Sequence, residues 1–156
     1  MKDWSIVDGV IYGVGTNQGS HIRTVRQWRD FDLELEYKVE NNSNGGVYLK
    51  GLAEIQVCSR RDHNSTSKGQ DGAIFAQRAP DSLVSKPAGQ WNQLRVVWKG
   101  RIVSVYLNDY MIHNQVQINK PTEGHIKGSL TGQGPIMLQA LRGIVWYRNI
   151  KVRPAR

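Results

Sequence analysis

The stretch richest in residues able to do chemistry is 47–59, VYLKGLAEIQVCS. Read with period two, one register holds Val47, Leu49, Gly51, Ala53, Ile55 and Val57, all small or aliphatic. The other holds Tyr48, Lys50, Leu52, Glu54, Gln56 and Cys58. Alternation of this length predicts a β-strand, or two joined at Gly51, with one face in a core. The second face sets a single carboxylate between an amide and a cation, beside a ring that can stack on a ligand. A plain solvated face would scatter Lys, Thr and Glu. This set furnishes a sugar-binding cleft, so Tyr48, Lys50, Glu54 and Gln56 form the candidate site. Glu54 suits general acid–base work, because a carboxylate flanked by aliphatic strands has its pKa raised. Glycosidases use two nearby carboxylates; Asp62 and Asp71, in the following segment, are the ones able to swing near it. On periodicity alone a surface glutamate, or one salt-bridged to Lys50, fits as well.

The other reactive residue types carry less. His21, His63, His113 and His125 are scattered with no HxH or HExxH spacing, so no catalytic zinc is expected. Neither a GxSxG elbow nor a phosphate loop is present. Cys58 is the lone cysteine, which excludes an intramolecular disulfide and reads as a packed thiol. Trp28, Trp91, Trp98 and Trp146 are expected in the core, and Tyr48, with Tyr12 and Tyr106, as the sugar-stacking candidates. Asn64-Ser65-Thr66 fits the N-glycosylation pattern of a eukaryotic secretory protein. Lys and Arg number 21 against 13 Asp and Glu, a net charge of +8, but the basic residues are dispersed. No recognition helix or aromatic–basic RNA signature accompanies them, so nucleic acid is not an expected partner. A soluble, solvated surface accounts for the charge, and an acidic glycan is the more interesting role for it.

The elements that must position these residues are short strands. In 4–14, Asp8-Gly9 between apolar runs predicts a two-residue hairpin. A short strand is expected at 21–25 and a clean one at 31–39, with Phe31, Leu33, Leu35, Tyr37 and Val39 inward and Asp32, Glu34, Glu36 and Lys38 towards solvent. NNSNGG at 41–46 is a turn by composition. A polar loop at 60–71 precedes a short strand at 72–76, then a loop at 78–90. Residues 93–98 and 102–107 form a hairpin, 110–113 a further strand and 116–134 a second long loop; 136–139 and 144–152 are expected as a closing hairpin. No sustained 3.6-residue period occurs, so helix is minor, and this many strands with Gly-rich turns predict an all-β sandwich or barrel. At 156 residues the chain reads as one domain, 1–156. No apolar run approaches the roughly 20 residues of a membrane helix. MKDWSIVDG has no apolar h-region, so no signal peptide is expected there.

Several motifs, in order along nearly the whole chain, resemble the 3-keto-disaccharide hydrolase domain family. They are WSIVDGVIYG, SHIRTVRQWRDFDLELEYKV, SNGGVYLKG, AEIQV, GAIFAQRAP, KPAGQWNQLRVVWKGRIVSVYLND, GPIMLQ and VWYRNIKVRP. The resemblance implies a concanavalin-A-like antiparallel β-sandwich, or jelly roll, whose concave sheet binds an oligosaccharide or glycoside. It implies cleavage of glycosidic bonds in 3-keto sugars, where the ketone acidifies the neighbouring C–H and permits elimination followed by hydration. By position it makes Glu54 the acid/base and Gln56 a sugar-orienting amide. Lys50 stands in the family's usual Arg place, Gln139 is the "LQ" glutamine, and Arg148 with Asn149 is the "RN" pair; Lys50, Gln139 and Arg148 are carried over as substrate contacts, with Tyr48 and Gln56. Ser59 stands where the family often has Asp, and Ala140-Leu141 where it often has Asp-His. No cofactor is expected, and a divalent cation has no support in the residues. A periplasmic or extracellular setting follows from the family alone. The alternative reading is a non-catalytic carbohydrate-binding or adhesion module on the same fold.

Overall fold

The computed structural model describes residues 3–59 and 66–156. Asp62, His63, and Asn64 with Ser65 of the acceptor pattern, lie outside the described residues. Nine strands are present among those described, and no helix. They are β1 (Trp4–Val7), β2 (Val10–Arg23), β3 (Phe31–Val39), β4 (Asn44–Leu49), β5 (Ala53–Cys58), β6 (Asn92–Lys99), β7 (Ile102–Leu107), β8 (Tyr110–Gln117) and β9 (Met137–Pro154). All pairings between them are antiparallel.

The order β1-β2-β9-β3-β6-β7-β8 forms one continuous sheet, with β4 and β5 branching from β9. Two long strands fold it into two layers. The first part of β9, from Met137, pairs with β4 and with the end of β2; the part from Val145 pairs with β3 and with the start of β2. The first layer is therefore β5-β4-β9-β2, and the second continues through β9 and β3 to β8. Phe31, Leu33, Leu35, Val47, Leu49, Ile55, Val57, Val96, Trp98, Val105, Leu138, Val145 and Tyr147 fill the space between them.

Several expectations are met closely: the Asp8-Gly9 turn joins β1 to β2, β3 spans the predicted residues, and β6–β7 is a hairpin. Residues 47–59 are two strands turning through Lys50 and Gly51, both at positive φ. Other expectations are corrected. The strand at 21–25 is the end of β2, which bulges between Thr16 and Ser20 and so continues past Asn17 and Gly19. The expected closing hairpin is one strand of 18 residues. Gly143 adopts φ +65° within it, and a Cβ there would overlap the Ser43 hydroxyl; the glycine bends β9 from one layer to the other without reversing it. Residues 72–76 make single bridges from Ile74 to Ile55 and Arg78 rather than a strand. Trp28 and Trp98 are buried, whereas Trp91 and Trp146 are only half-buried and flank the Lys38 ammonium, at 5.0 and 4.6 Å.

The acids of β3, expected to face solvent, are held by cations. Arg95 donates two hydrogen bonds to Asp32, at 3.0 and 2.9 Å, and Arg153 reaches the same carboxylate at 2.7 Å. Arg148 donates to both oxygens of Glu36, at 3.2 and 3.1 Å, and Asn149 donates to it as well. Asp32 is held below the usual carboxylate range first by its hydrogen bond from Arg95, against the opposing effect of burial. The cause is register: β9 and β6 flank β3 and place Arg153 and Arg95 beside its outward-pointing acids.

Candidate functional site

The β4–β5 hairpin brings Tyr48 and Glu54 opposite each other, and Gly46 opposite Gln56. With Val47, Leu49, Ala53, Ile55 and Val57 committed to the core, pleating sends these polar side chains to the other face. That face is covered rather than solvated: Tyr48 is 1% exposed, Glu54 3% and Gln56 3%. The loop after β8 forms the cover. The Glu54 N–H donates to the Thr122 hydroxyl at 3.0 Å, and the Thr122 N–H donates to the Leu52 carbonyl at 2.9 Å. The Glu54 side chain lies flat across Gly46, where any Cβ would overlap the carboxylate. Glycine is required here by close approach.

The Tyr48 hydroxyl lies 3.0 Å from Glu54 Oε2 and 3.0 Å from the Glu123 carbonyl. It owns one proton, so it donates to one of these oxygens at a time. Burial, only partly offset by the Tyr48 hydrogen bond, pushes the Glu54 carboxyl up to about 7. Among the described residues no cation forms an ion pair with Glu54. Desolvation and the neighbouring Glu54 push the Tyr48 phenol far above its ordinary range, so it stays protonated.

The network extends across two more strands. Gln139 of β9 pairs in register with Gly46 on one side and His21 of β2 on the other. Its amide donates to the Tyr48 hydroxyl at 3.2 Å and lies 3.1 Å from His21 Nε2. The amide NH2 can only donate, so His21 accepts at Nε2 and carries its proton on Nδ1; burial lowers the pKa of the ring in the same sense. The His21 ring also stands edge-on to Tyr48, centroids 5.7 Å apart. A continuous chain of polar atoms thus runs Glu54, Tyr48, Gln139, His21, with a near-neutral carboxyl at one end and a neutral imidazole at the other. Gln56 stands beside it, donating to the Asn44 side-chain carbonyl at 3.2 Å.

Of the residues singled out from the sequence, the structure brings together Tyr48, Glu54, Gln139 and, one register row away, Gln56. Lys50 is turned aside. Its φ of +55° at the hairpin turn breaks the alternation, and its ammonium donates to the carbonyls of Leu130 (2.8 Å) and Gly132 (3.1 Å) above the Trp98 ring. Burial lowers its pKa to about 8. The Lys50–Glu54 salt bridge open on periodicity does not form. Arg148 stands in the other layer, paired with Glu36 and 3.9 Å from the centre of the Trp91 ring. Tyr12 pairs in register with Trp146 in that layer, and Tyr106 lies under Arg95. Tyr48 offers its hydroxyl rather than an open ring face. Asp71 accepts from the Tyr37 hydroxyl at 2.6 Å and from the Cys58 N–H at 3.0 Å.

His21 was missed in the sequence. The available signal was its alternation with Ile22 and Arg23 on a strand. Its position also bears on a departure from the family pattern: Leu141, in the place of a family His, and the His21 ring both border Gly19. Ala140 is buried in the core, and Ser59 donates its N–H to the Ser43 carbonyl at 3.1 Å. His113 is a core histidine, its Nε2 2.8 Å from the Gly72 carbonyl. Among the described residues no three His, Cys, Asp or Glu side chains group as metal ligands.

The family model for the 3-keto-alpha-glucoside-1,2-lyase-like domain matches residues 1–153. A 3-keto-disaccharide hydrolase of Bacteroides thetaiotaomicron is 22% identical over 201 aligned positions, which cover 96% of this chain and 69% of the relative. That alignment is longer than the chain itself, so the relative carries inserted segments that are lacking here. A candidate glycosyl hydrolase of Parabacteroides distasonis superposes with a TM-score of 0.79 at 27% identity, over 97% of this chain and 74% of that one. The carbohydrate-binding module CBM66 of Bacillus subtilis superposes with a TM-score of 0.62 at 12% identity, over 96% and 90%. The fold is the concanavalin-A-like β-sandwich, or jelly roll.

Proposed function

Because the chain belongs to the 3-keto-alpha-glucoside-1,2-lyase-like domain family, we propose that it cleaves the glycosidic bond of 3-keto sugars at the face bearing Glu54. The observation that carries this reading is the unbroken polar chain from Glu54 through Tyr48 and Gln139 to His21. A ketone at C3 acidifies the C2–H. Glu54, its carboxyl pushed up to about 7 by burial, takes that proton in its ionised form. The C–H electron pair becomes the C1=C2 double bond as the C1–O bond breaks, and the departing oxygen acquires a proton to leave as the alcohol. The Glu54 carboxyl, now carrying the C2 proton, is the group we assign to that protonation, so one residue serves as base and then as acid. Water adding across the double bond completes a net hydrolysis.

Tyr48 tracks the proton on Glu54. Facing the carboxylate it donates to Oε2; once Glu54 holds the substrate proton, Tyr48 turns its own proton to the Glu123 carbonyl and accepts from Glu54. Gln139 holds both Tyr48 and His21 in place.

A non-catalytic carbohydrate-binding module is the second reading, favoured by the 3% exposure of Glu54 beneath the Thr122 segment. Incubation with 3-keto-glucosides and with their unoxidised parents separates the two. Turnover of the keto substrates alone, abolished by Glu54→Gln, supports the enzyme; binding across the panel without turnover supports the module.

A further inference from the structure

We propose that the site face continues into a cationic subsite, built by Arg23 and Lys127, that takes an anionic substituent, a carboxylate or a sulfate ester, of the glycoside held at Glu54. This rests on the carbohydrate reading above and adds the charge class of the substrate.

Register gives the first support. Arg23 pairs with Met137, Met137 with Tyr48, and Tyr48 with Glu54, so one straight row of the first layer runs from Arg23 to the carboxylate. Arg23 alternates with Ile22 and lies on the same side of β2 as His21. Beyond it opens a concavity of about 460 Å³, lined among others by Arg23, Gln27, Lys50, Lys127 and Gln133, with no Asp or Glu in its wall. Its two sides are tied together by backbone bonds between Trp28 and Gly134, at 2.9 and 3.0 Å, so the walls are set before any ligand arrives.

Charge accounting gives the second. Lys50 is committed to the carbonyls of Leu130 and Gly132. Arg23 and Lys127 are exposed, and among the described residues neither has a carboxylate partner. The arginines of the other layer are treated differently: Arg95, Arg148 and Arg153 are each neutralised by an acid of β3. Unpaired cations around an acid-free hollow leave a field that an anion relieves, and the planar guanidinium of Arg23 matches the two oxygens of a carboxylate or sulfate.

The test is titration calorimetry of a neutral gluco-oligosaccharide, its glucuronate-bearing counterpart and its sulfated counterpart, against the wild-type chain, Arg23→Gln and Lys127→Gln. The wild type is expected to prefer an acidic ligand, with affinity falling between 20 and 200 mM salt. Each variant is expected to weaken the acidic ligand about three- to tenfold more than the neutral one. Whether glucuronate or sulfate responds identifies the substituent. Equal binding of neutral and acidic ligands by the wild type, or equal losses for both in the variants, overturns the subsite while leaving carbohydrate binding intact. If no ligand of either charge binds and 3-keto-glucosides are not turned over, the carbohydrate reading itself falls and the subsite with it.

Discussion

The outer face of β3 and the Glu54 face of β4–β5 treat carboxylates in opposite ways. On β3, Asp32 lies between Arg95 and Arg153, and Glu36 takes both nitrogens of Arg148. Each of these two acids meets a cation at the edge of solvent, and both carboxyls are held in their ionised form. On β4–β5, Glu54 is covered, has no paired cation among the described residues, and accepts a single hydroxyl bond from Tyr48. The first arrangement fixes charge; the second leaves a proton free to come and go near neutral pH. What differs is the residue in register on the flanking strand: Arg153 beside Asp32 and Arg148 beside Glu36, but Tyr48 beside Glu54.

The largest effect that would sharpen this contrast is on catalysis. Glu54→Gln should lower turnover of a 3-keto-glucoside by about 10²–10⁴-fold, the usual range for a general base. The same variant should be more stable than the wild type at alkaline pH. Glu54 titrates near 7 when folded against 4.5 for the free group, so the folded chain keeps a proton that the unfolded chain sheds between those values. Its contribution is complete below pH 4.5 and is lost as pH rises through 7, by at most about 3 kcal/mol. Urea unfolding at pH 5 and pH 8 should show the wild type losing stability relative to Glu54→Gln. Parallel pH profiles would put Glu54 on the same footing as the β3 acids and remove the contrast.

Next in size, His21→Asn should lower turnover about tenfold, because Gln139 loses the acceptor that holds it beside Tyr48, with little change in melting temperature because His21 is exposed. A lowered kcat with an unshifted pH–rate profile would identify His21 as a positioning residue acting through Gln139; normal kcat and KM would remove it from the mechanism. Asp32→Asn strands two arginines at the opposite patch. It should cost about 1–2 kcal/mol in urea unfolding at pH 7, discounted for the exposure of Arg95 and Arg153, and leave turnover alone. Since Asp32 is held below its ordinary value, that stabilisation is present above pH 4 and fades as pH falls below it. Smallest of all, Arg148→Ala should cost less than about 1 kcal/mol and shift KM less than threefold. A tenfold rise in KM would return Arg148 to the substrate, where the motif comparison had put it.

The fold was legible wherever hydrophobic alternation was unbroken: Phe31 to Val39, the two sides of Lys99-Gly100-Arg101, and the core register from Val47 to Val57. It failed where one residue at positive φ altered the direction of a strand without ending it. Gly143 and Asn149 within β9, and Asn17 and Gly19 within β2, carry turn-forming residue types but serve as bends. Lys50 shows the same failure at the scale of a side chain: its parity is that of Tyr48 and Glu54, yet its left-handed backbone sends the ammonium to the loop carbonyls. The Glu54–Gln139 association came from motif resemblance. The partnership with His21 depends on β2 lying beside β9, a pairing across more than a hundred residues that no local pattern encodes. The placement of Trp91 and Trp146 around Lys38 likewise depends on which strands become neighbours.

The position of β9 in the chain also governs when the fold can form. Both layers meet on this strand, and it is made after all three strands that it bridges. On the ribosome, β2, β3 and β4 emerge with their central neighbour still unsynthesised, and they wait as open edges for more than a hundred residues of translation in the case of β2. Sheets closed by such distant contacts assemble slowly. Local hairpins such as β4–β5 and β6–β7 can pair without it, but the two layers cannot be joined until Met137–Pro154 has been made.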